Sequence, residues 1–121
     1  MKLVLTSKGK SLDSEIDPRF GRCPYFCLLD PATMKAEFYE NPALSSPGGA
    51  GIKAAQFVID TGARALLTQN VGPRAFSTLS AGGVEIYTVE SGTLLEAVEK
   101  WKKGELKKVG EPTSDIHSGL R

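Results

Sequence analysis

The sequence predicts an α/β fold of three layers, a mixed five-stranded sheet with helices on both faces. Three observations lead there. The apolar segments follow the order βββαβαβα, and strands that give way to alternating helices and strands require a partly parallel sheet with helical crossovers. Strands two and three are separated only by the turn at residues 30–34, so they pair as an antiparallel hairpin. A chain of 121 residues with 40% hydrophobic and 24% charged residues has the size and composition of one ordinary globular domain.

Residues 2–6 form a short apolar run, read as a first strand buried on both faces. The polar stretch after it, punctuated by Gly, Asp and Pro, is a long loop. Residues 24–30 give strand two, and Pro31 fixes φ at the second position of the turn that follows. Residues 35–41 alternate Ala36, Phe38 and Tyr39 with charges, as a half-exposed strand three does. Beyond a second loop, Ile52, Ala55 and Ile59 fall on one face of a first helix that stops at Gly62. Residues 64–68 are strand four. Pro73, favoured at a first helical position, opens a second helix that ends at residues 81–83. Residues 84–89 are strand five. A third helix covers residues 91–106, with Leu94, Val98 and Trp101 along one stripe. The domain is assigned to residues 1–108, and the polar segment 109–121 is expected to be a flexible tail.

Right-handed crossovers make strands one, three, four and five run one way and strand two the other. The start of strand two and the ends of the other four then share one sheet edge, where open α/β sheets bind ligands. That edge collects Arg22–Cys23, Gly48–Gly51, Asn70–Pro73 and Glu90–Gly92.

Cys23 is either a plain loop thiol or a thiolate ligand activated by the neighbouring Arg19 and Arg22, since nearby cations lower a thiol pKa. A soft thiolate would suit iron–sulfur, copper or molybdenum–sulfur chemistry. Cys27 stands four residues on. In a continuous strand that spacing is about 13 Å, too far for one ion or a disulfide; Cys27 is read as a small buried hydrophobe. Gly48, Gly49 and Gly51 at a helix start are either a tight turn or an opening through which backbone N–H groups reach an anion. Gly72 and Pro73 open a second helix at the same edge, as a structural turn or as a further anion-facing terminus. Neither matches a Walker A loop or a G-x-G-x-x-G fingerprint.

His117, the single histidine, falls in the expected tail, and Asp13, Glu15 and Asp17 have no spacing that specifies a cation. A net charge of +1 with no basic stripe argues against a nucleic-acid partner. No apolar run nears the ~20 residues that span a bilayer, and none resembles a signal sequence, so a cytoplasmic protein is expected, with no membrane partner. There is no Ser/His/Asp set, zinc-ligand cluster or carboxylate pair, and the chain is expected not to be an enzyme.

Residues 17–26, 48–68 and 72–87, with the closing helix, resemble the dinitrogenase iron–molybdenum cofactor biosynthesis family over about residues 1–110. The resemblance implies a ribonuclease-H-like α/β/α motif with strand two antiparallel. It also implies a carrier for an anionic metal–sulfur cluster, of iron–sulfur or molybdenum-containing type, with cluster donor or acceptor proteins as partners. One relative holds a mixed molybdenum–copper sulfide without covalent ligands, so the scaffold need not supply thiolates. The residues that match are Arg19, Phe20, Gly21, Arg22, Gly48, Gly49, Gly51, Gly72 and Pro73; Cys23, within the first motif, is the candidate metal ligand. The alternative is a regulatory or protein-interaction module that uses the same edge without metal.

Overall fold

A computed structural model describes residues 1–113. Its elements are β1 (Leu3–Ser7), β2 (Tyr25–Asp30), β3 (Lys35–Glu40), α1 (Ala50–Asp60), β4 (Ala65–Thr68), α2 (Pro73–Ala81), β5 (Glu85–Thr88), α3 (Leu94–Lys102) and β6 (Lys107–Lys108). One sheet takes all six strands in the order β3-β2-β1-β4-β5-β6. β1, β4 and β5 are parallel, β2 is antiparallel to both β1 and β3, and β6 is antiparallel to β5. The α/β class and the antiparallel second strand are those the sequence predicts.

The sixth strand is an addition to the expected five. Gly104, at φ 71°, ends α3 inside the segment read as helix, with its amide bonded to the Trp101 carbonyl and that of Glu105 to the Lys100 carbonyl. The chain then turns back along β5. The Val109 amide donates to the Ile86 carbonyl, and Thr113 bonds both the amide and the carbonyl of Val71. Residues 109–113, expected to be loose, are therefore tied to the sheet and to the loop before α2. His117 lies outside the described residues.

α1 and α2 cover one face of the sheet, where Ala54, Val58 and Leu79 meet Val4, Phe26, Leu66 and Ile86. α3 and the first half of the long loop cover the other, where Leu94, Val98 and Ile16 meet Leu3, Leu5, Leu29 and Leu67. β1 is buried along its whole length because both layers press on it. The buried face of α1 differs from the one expected. It is Ala50, Ala54, Ala55 and Val58, while Ile52 is 45% exposed. Small residues on the inner face let α1 lie close to α2, and Ile52 is left at the sheet edge.

The two thiols belong to opposite layers. Cys27 sits opposite Leu5 and Phe38 in the α3-side core, and Cys23 precedes β2 in the α1-side core. Both are fully buried and free. Burial pushes each thiol up from 9.0 to about 12; for Cys23 the nearby Asp17 carboxylate adds to this, and Arg19 opposes it only weakly. The burial of Cys23 opposes the thiolate activation expected from its neighbouring arginines, and desolvation outweighs Arg19.

The expected outcome is that neither thiol reacts with a disulfide reagent in native protein at pH 8, and that two are labelled on unfolding; rapid native labelling would contradict the burial. Because both folded-state pKa values lie above the unfolded one, unfolded chains lose these protons first. The thiols' contribution to stability is complete below about pH 9 and declines as pH rises toward about 12. Denaturant midpoints at pH 7, 9 and 10.5 should show that decline, and it should shrink when Cys27 is replaced by Ala. Thr93, which with Glu96 closes a capping box on α3, is the third test: Thr93→Ala should lower unfolding free energy by roughly 1 kcal/mol.

A candidate anion-binding cleft at the sheet edge

The ends of β1 and β4 and the start of β2 meet at one edge, and the long loop from β1 to β2 crosses over it. Ile16 lies in one core layer and Phe20 in the other. Backbone and hydroxyl bonds fasten the crossing. The Asp17 amide donates to the Thr6 carbonyl (3.0 Å), and the Thr6 hydroxyl donates to the Asp17 carbonyl (2.8 Å). Arg19 forms an isolated parallel bridge with Asn70. Asn41, only 3% exposed, donates from its side-chain amide to the carbonyls of Gly21 (3.1 Å) and Cys23 (3.0 Å), which fixes the chain between them.

This arrangement opens a cleft of about 720 Å³. Its walls are Pro18–Arg22 from the long loop, Gly49–Ile52 from the start of α1, and Asn70 with Gly72–Ala75 from the start of α2. Gly21 is required by close approach: a Cβ there would lie 3.3 Å from both Cα and N of Gly51. Gly49 holds φ 69°, a left-handed conformation suited to glycine, and turns the chain into α1.

The first amides of a helix have no partner within it. In α1 the first bond back is from the Lys53 amide to the Gly49 carbonyl, and in α2 from Phe76 to Gly72. That leaves the amides of Ala50, Gly51, Ile52, Arg74 and Ala75 at the cleft, Pro73 having none. No side chain caps either helix, and neither first turn contains an acid. α3 starts at the same edge and is fully capped. Its Leu94, Leu95 and Glu96 amides donate to the Ser14 carbonyl, the Leu12 carbonyl and the Thr93 hydroxyl.

Three guanidinium groups join the bare amides. Arg19 is bonded through Nε and Nη2 to Asp17, each at 3.4 Å, and the buried carboxylate raises the Arg19 pKa. Arg22 donates to the carbonyls of Leu44 (3.5 Å) and Ser46 (3.3 Å), which aim it without neutralising it. Arg74 is exposed and has no ion pair among the described residues. Among the described residues no carboxylate, thiol or imidazole lines the cleft. Its donor set suits the outer atoms of an anion and not direct coordination of a metal. Among the described residues no group of three or more His, Cys, Asp or Glu is placed to hold a metal ion.

The structure therefore brings together Arg19, Arg22, Gly49, Gly51, Gly72 and Pro73, as the sequence anticipated. It separates Cys23, whose thiol is buried and donates to the Phe20 carbonyl at 3.4 Å. The expectation that the loop delivers this thiol to the edge is corrected: the Asn41 bonds turn it inward. Gly48 is exposed but does not line the cleft, and Glu90–Gly92 is walled off because Gly92 accepts from the Ile16 amide. Sequence reading missed Arg74 and Asn41. Arg74 had a signal, since a Pro at the first helical position places the next residue in the exposed first turn.

Residues 1–104 match the family model described as dinitrogenase iron–molybdenum cofactor. The orange protein of Desulfovibrio gigas in its apo form is 37% identical, superposes with a TM-score of 0.90, and matches over 93% of this chain and 96% of its own. A Thermotoga protein of the DUF35 family is 36% identical at a TM-score of 0.77, over 88% and 91% of the two chains. An uncharacterized protein of Methanocaldococcus jannaschii is 27% identical over 112 residues, 89% of this chain and 95% of that protein. The chain belongs to the dinitrogenase iron–molybdenum cofactor family.

Proposed function

We propose that the cleft carries an anionic metal–sulfur cluster, of iron–sulfur or molybdenum-containing type, as cargo for delivery and without catalysing a reaction on it. One observation carries this reading: among the described residues, the positive charge at the sheet edge is offset only at Arg19, by Asp17. Two uncapped helix N-termini and the guanidiniums of Arg19, Arg22 and Arg74 converge on a cleft that no acid among the described residues lines. Arg74 stands in the first turn of α2, where the helix dipole disfavours a cation. Such an arrangement is relieved by a bound anion. Metal sulfides carry net negative charge on their outer sulfurs, and those sulfurs accept hydrogen bonds from amide and guanidinium N–H groups. Membership of the family supports a role with this class of cofactor.

The residues divide the work. The amides of Gly51, Ile52, Arg74 and Ala75 form a floor of donors. Arg22, aimed by two carbonyls, and Arg74, which has no ion pair among the described residues, supply charge from two sides, while Arg19 adds less because Asp17 draws on it. Cys23 contributes packing only.

Anaerobic incubation with tetrathiomolybdate, or with ferrous iron and sulfide, should give a coloured complex that survives gel filtration. A protein that stays colourless and metal-free with both would overturn the reading. Charge-assisted hydrogen bonds are worth roughly 1.5–3 kcal/mol each, so Arg22→Ala and Arg74→Ala should each weaken binding about tenfold or more. Affinity should fall as salt rises from 50 to 500 mM, since exposed charges are screened over ~8–10 Å. Cys23→Ser should bind within about threefold of wild type. A variant emptied by Cys23→Ser but loaded after Arg74→Ala would mean that a thiolate, and not the cleft's charge, holds the cargo.

A further inference from the structure

Among the described residues Gly51 is the one glycine inside a helix, and none of those residues stands close enough to require it. Its φ is not positive. A Cβ built there would lie 3.5 Å from Ala75 Cβ and 4.0 Å from Ala75 N, which is ordinary van der Waals contact. Gly21 and Gly82, also with unexceptional φ, have internal reasons, whereas Gly48 and Gly110 stand outside the helices, where a Cβ would meet nothing within 4 Å and costs no helix stability. At Gly82 a Cβ would fall 2.5 Å from Ile59 Cδ1, and at Gly21 it would press on the α1 backbone. Glycine in a helix weakens it relative to alanine. Position 51 thus lowers helix stability where alanine would fit, and the space left bare opens on the cleft, at the seam between the starts of α1 and α2.

We infer that Gly51 is a specificity-determining residue, whose missing side chain lets a rigid polynuclear sulfide seat across both helix N-termini at once; the inference rests on the cargo reading above. The geometry supplies the reason. Gly51 and Ala75, each in the first turn of its helix, sit within contact distance of a single methyl group. An anion that touches the amides of both helices must lie directly over that seam. A methyl at position 51 raises the floor there by the thickness of one carbon. A mononuclear anion shifts within the 720 Å³ cleft toward the guanidiniums and keeps most of its contacts. A polynuclear cluster spans the floor and has no such freedom. Gly51 would therefore select for size, whereas Arg22 and Arg74 select for charge and act on both kinds of ligand.

The test uses Gly51→Ala in the full chain with two probes, tetrathiomolybdate and the polynuclear sulfide formed when copper(I) is added to it. Both are followed by visible absorption under anaerobic conditions, alongside the thermal midpoint without ligand. The expected result has three parts. The midpoint rises by about 1–4 °C, as removal of a helical glycine from a domain of this size should give. Affinity for the polynuclear probe falls tenfold or more, and affinity for the mononuclear probe falls by a clearly smaller factor. Gly51→Ser, bulkier and a poorer helix former, should deepen the loss for the polynuclear probe without the gain in midpoint. A lowered midpoint for Gly51→Ala would make the glycine structural and overturn the inference. Equal binding of both probes by wild type and variant, or equal loss of both, would overturn it while leaving the cargo reading intact. Failure of wild type to bind either probe would overturn both.

Discussion

The opening amides of an α-helix cannot be satisfied within the helix, and the three helices of the described residues meet that constraint in two ways. α3 closes its own start, with a capping box from Thr93 and Glu96 and two carbonyls of the long loop. α1 and α2 do not. Both begin at a glycine with no capping side chain, and no acid sits in either first turn to offset the dipole. All three helices start at the same sheet edge, in the same chain. The difference therefore lies in what faces each start: loop backbone for α3, and an open cleft flanked by arginines for the other two.

Sheet order makes this possible. With β1 and β4 adjacent and parallel, α1 and α2 lie side by side on one face with their N-termini level. The long loop must cross the edge to enter β2, and it brings Arg19 and Arg22 over the two starts. Its position depends on a few buried polar contacts, chiefly the Asn41 amide on Gly21 and Cys23 and the Thr6 hydroxyl on Asp17. On the opposite side, Thr113 holds both backbone groups of Val71, immediately before the glycine that opens α2. The cleft is thus set by backbone hydrogen bonding of loops to a rigid sheet, which is the usual way such sheets present function.

Much of this was legible in the sequence. Strand periodicity, the tight turn after Asp30 and the handedness of crossovers place the long loop, Gly49–Gly51 and Gly72–Pro73 at one edge without reference to coordinates. Three things were not legible, each for a physical reason. The direction of the Cys23 side chain depends on Asn41, eighteen residues away, through a contact that no local pattern encodes. The buried face of α1 follows from close packing on α2, which selects Ala54 and Ala55 over the larger Ile52. β6 is only two residues long and entirely polar, Lys107 and Lys108, so hydrophobic periodicity gives no trace of it; pairing with β5 alone makes it a strand. Gly104 was a readable stop, masked by the charged helix-forming residues around it.

The central claim is that the bare amides of α1 and α2 are anion receptors, and it is tested most directly by amide nuclear magnetic resonance. Tetrathiomolybdate, diamagnetic and anionic, would be titrated into uniformly labelled protein under anaerobic conditions. The account predicts the largest shifts at Ala50, Gly51, Ile52, Arg74 and Ala75, with the capped amides Leu94, Leu95 and Glu96 unmoved as an internal reference. Shifts centred on Cys23, or spread equally over the three helix starts, would contradict it.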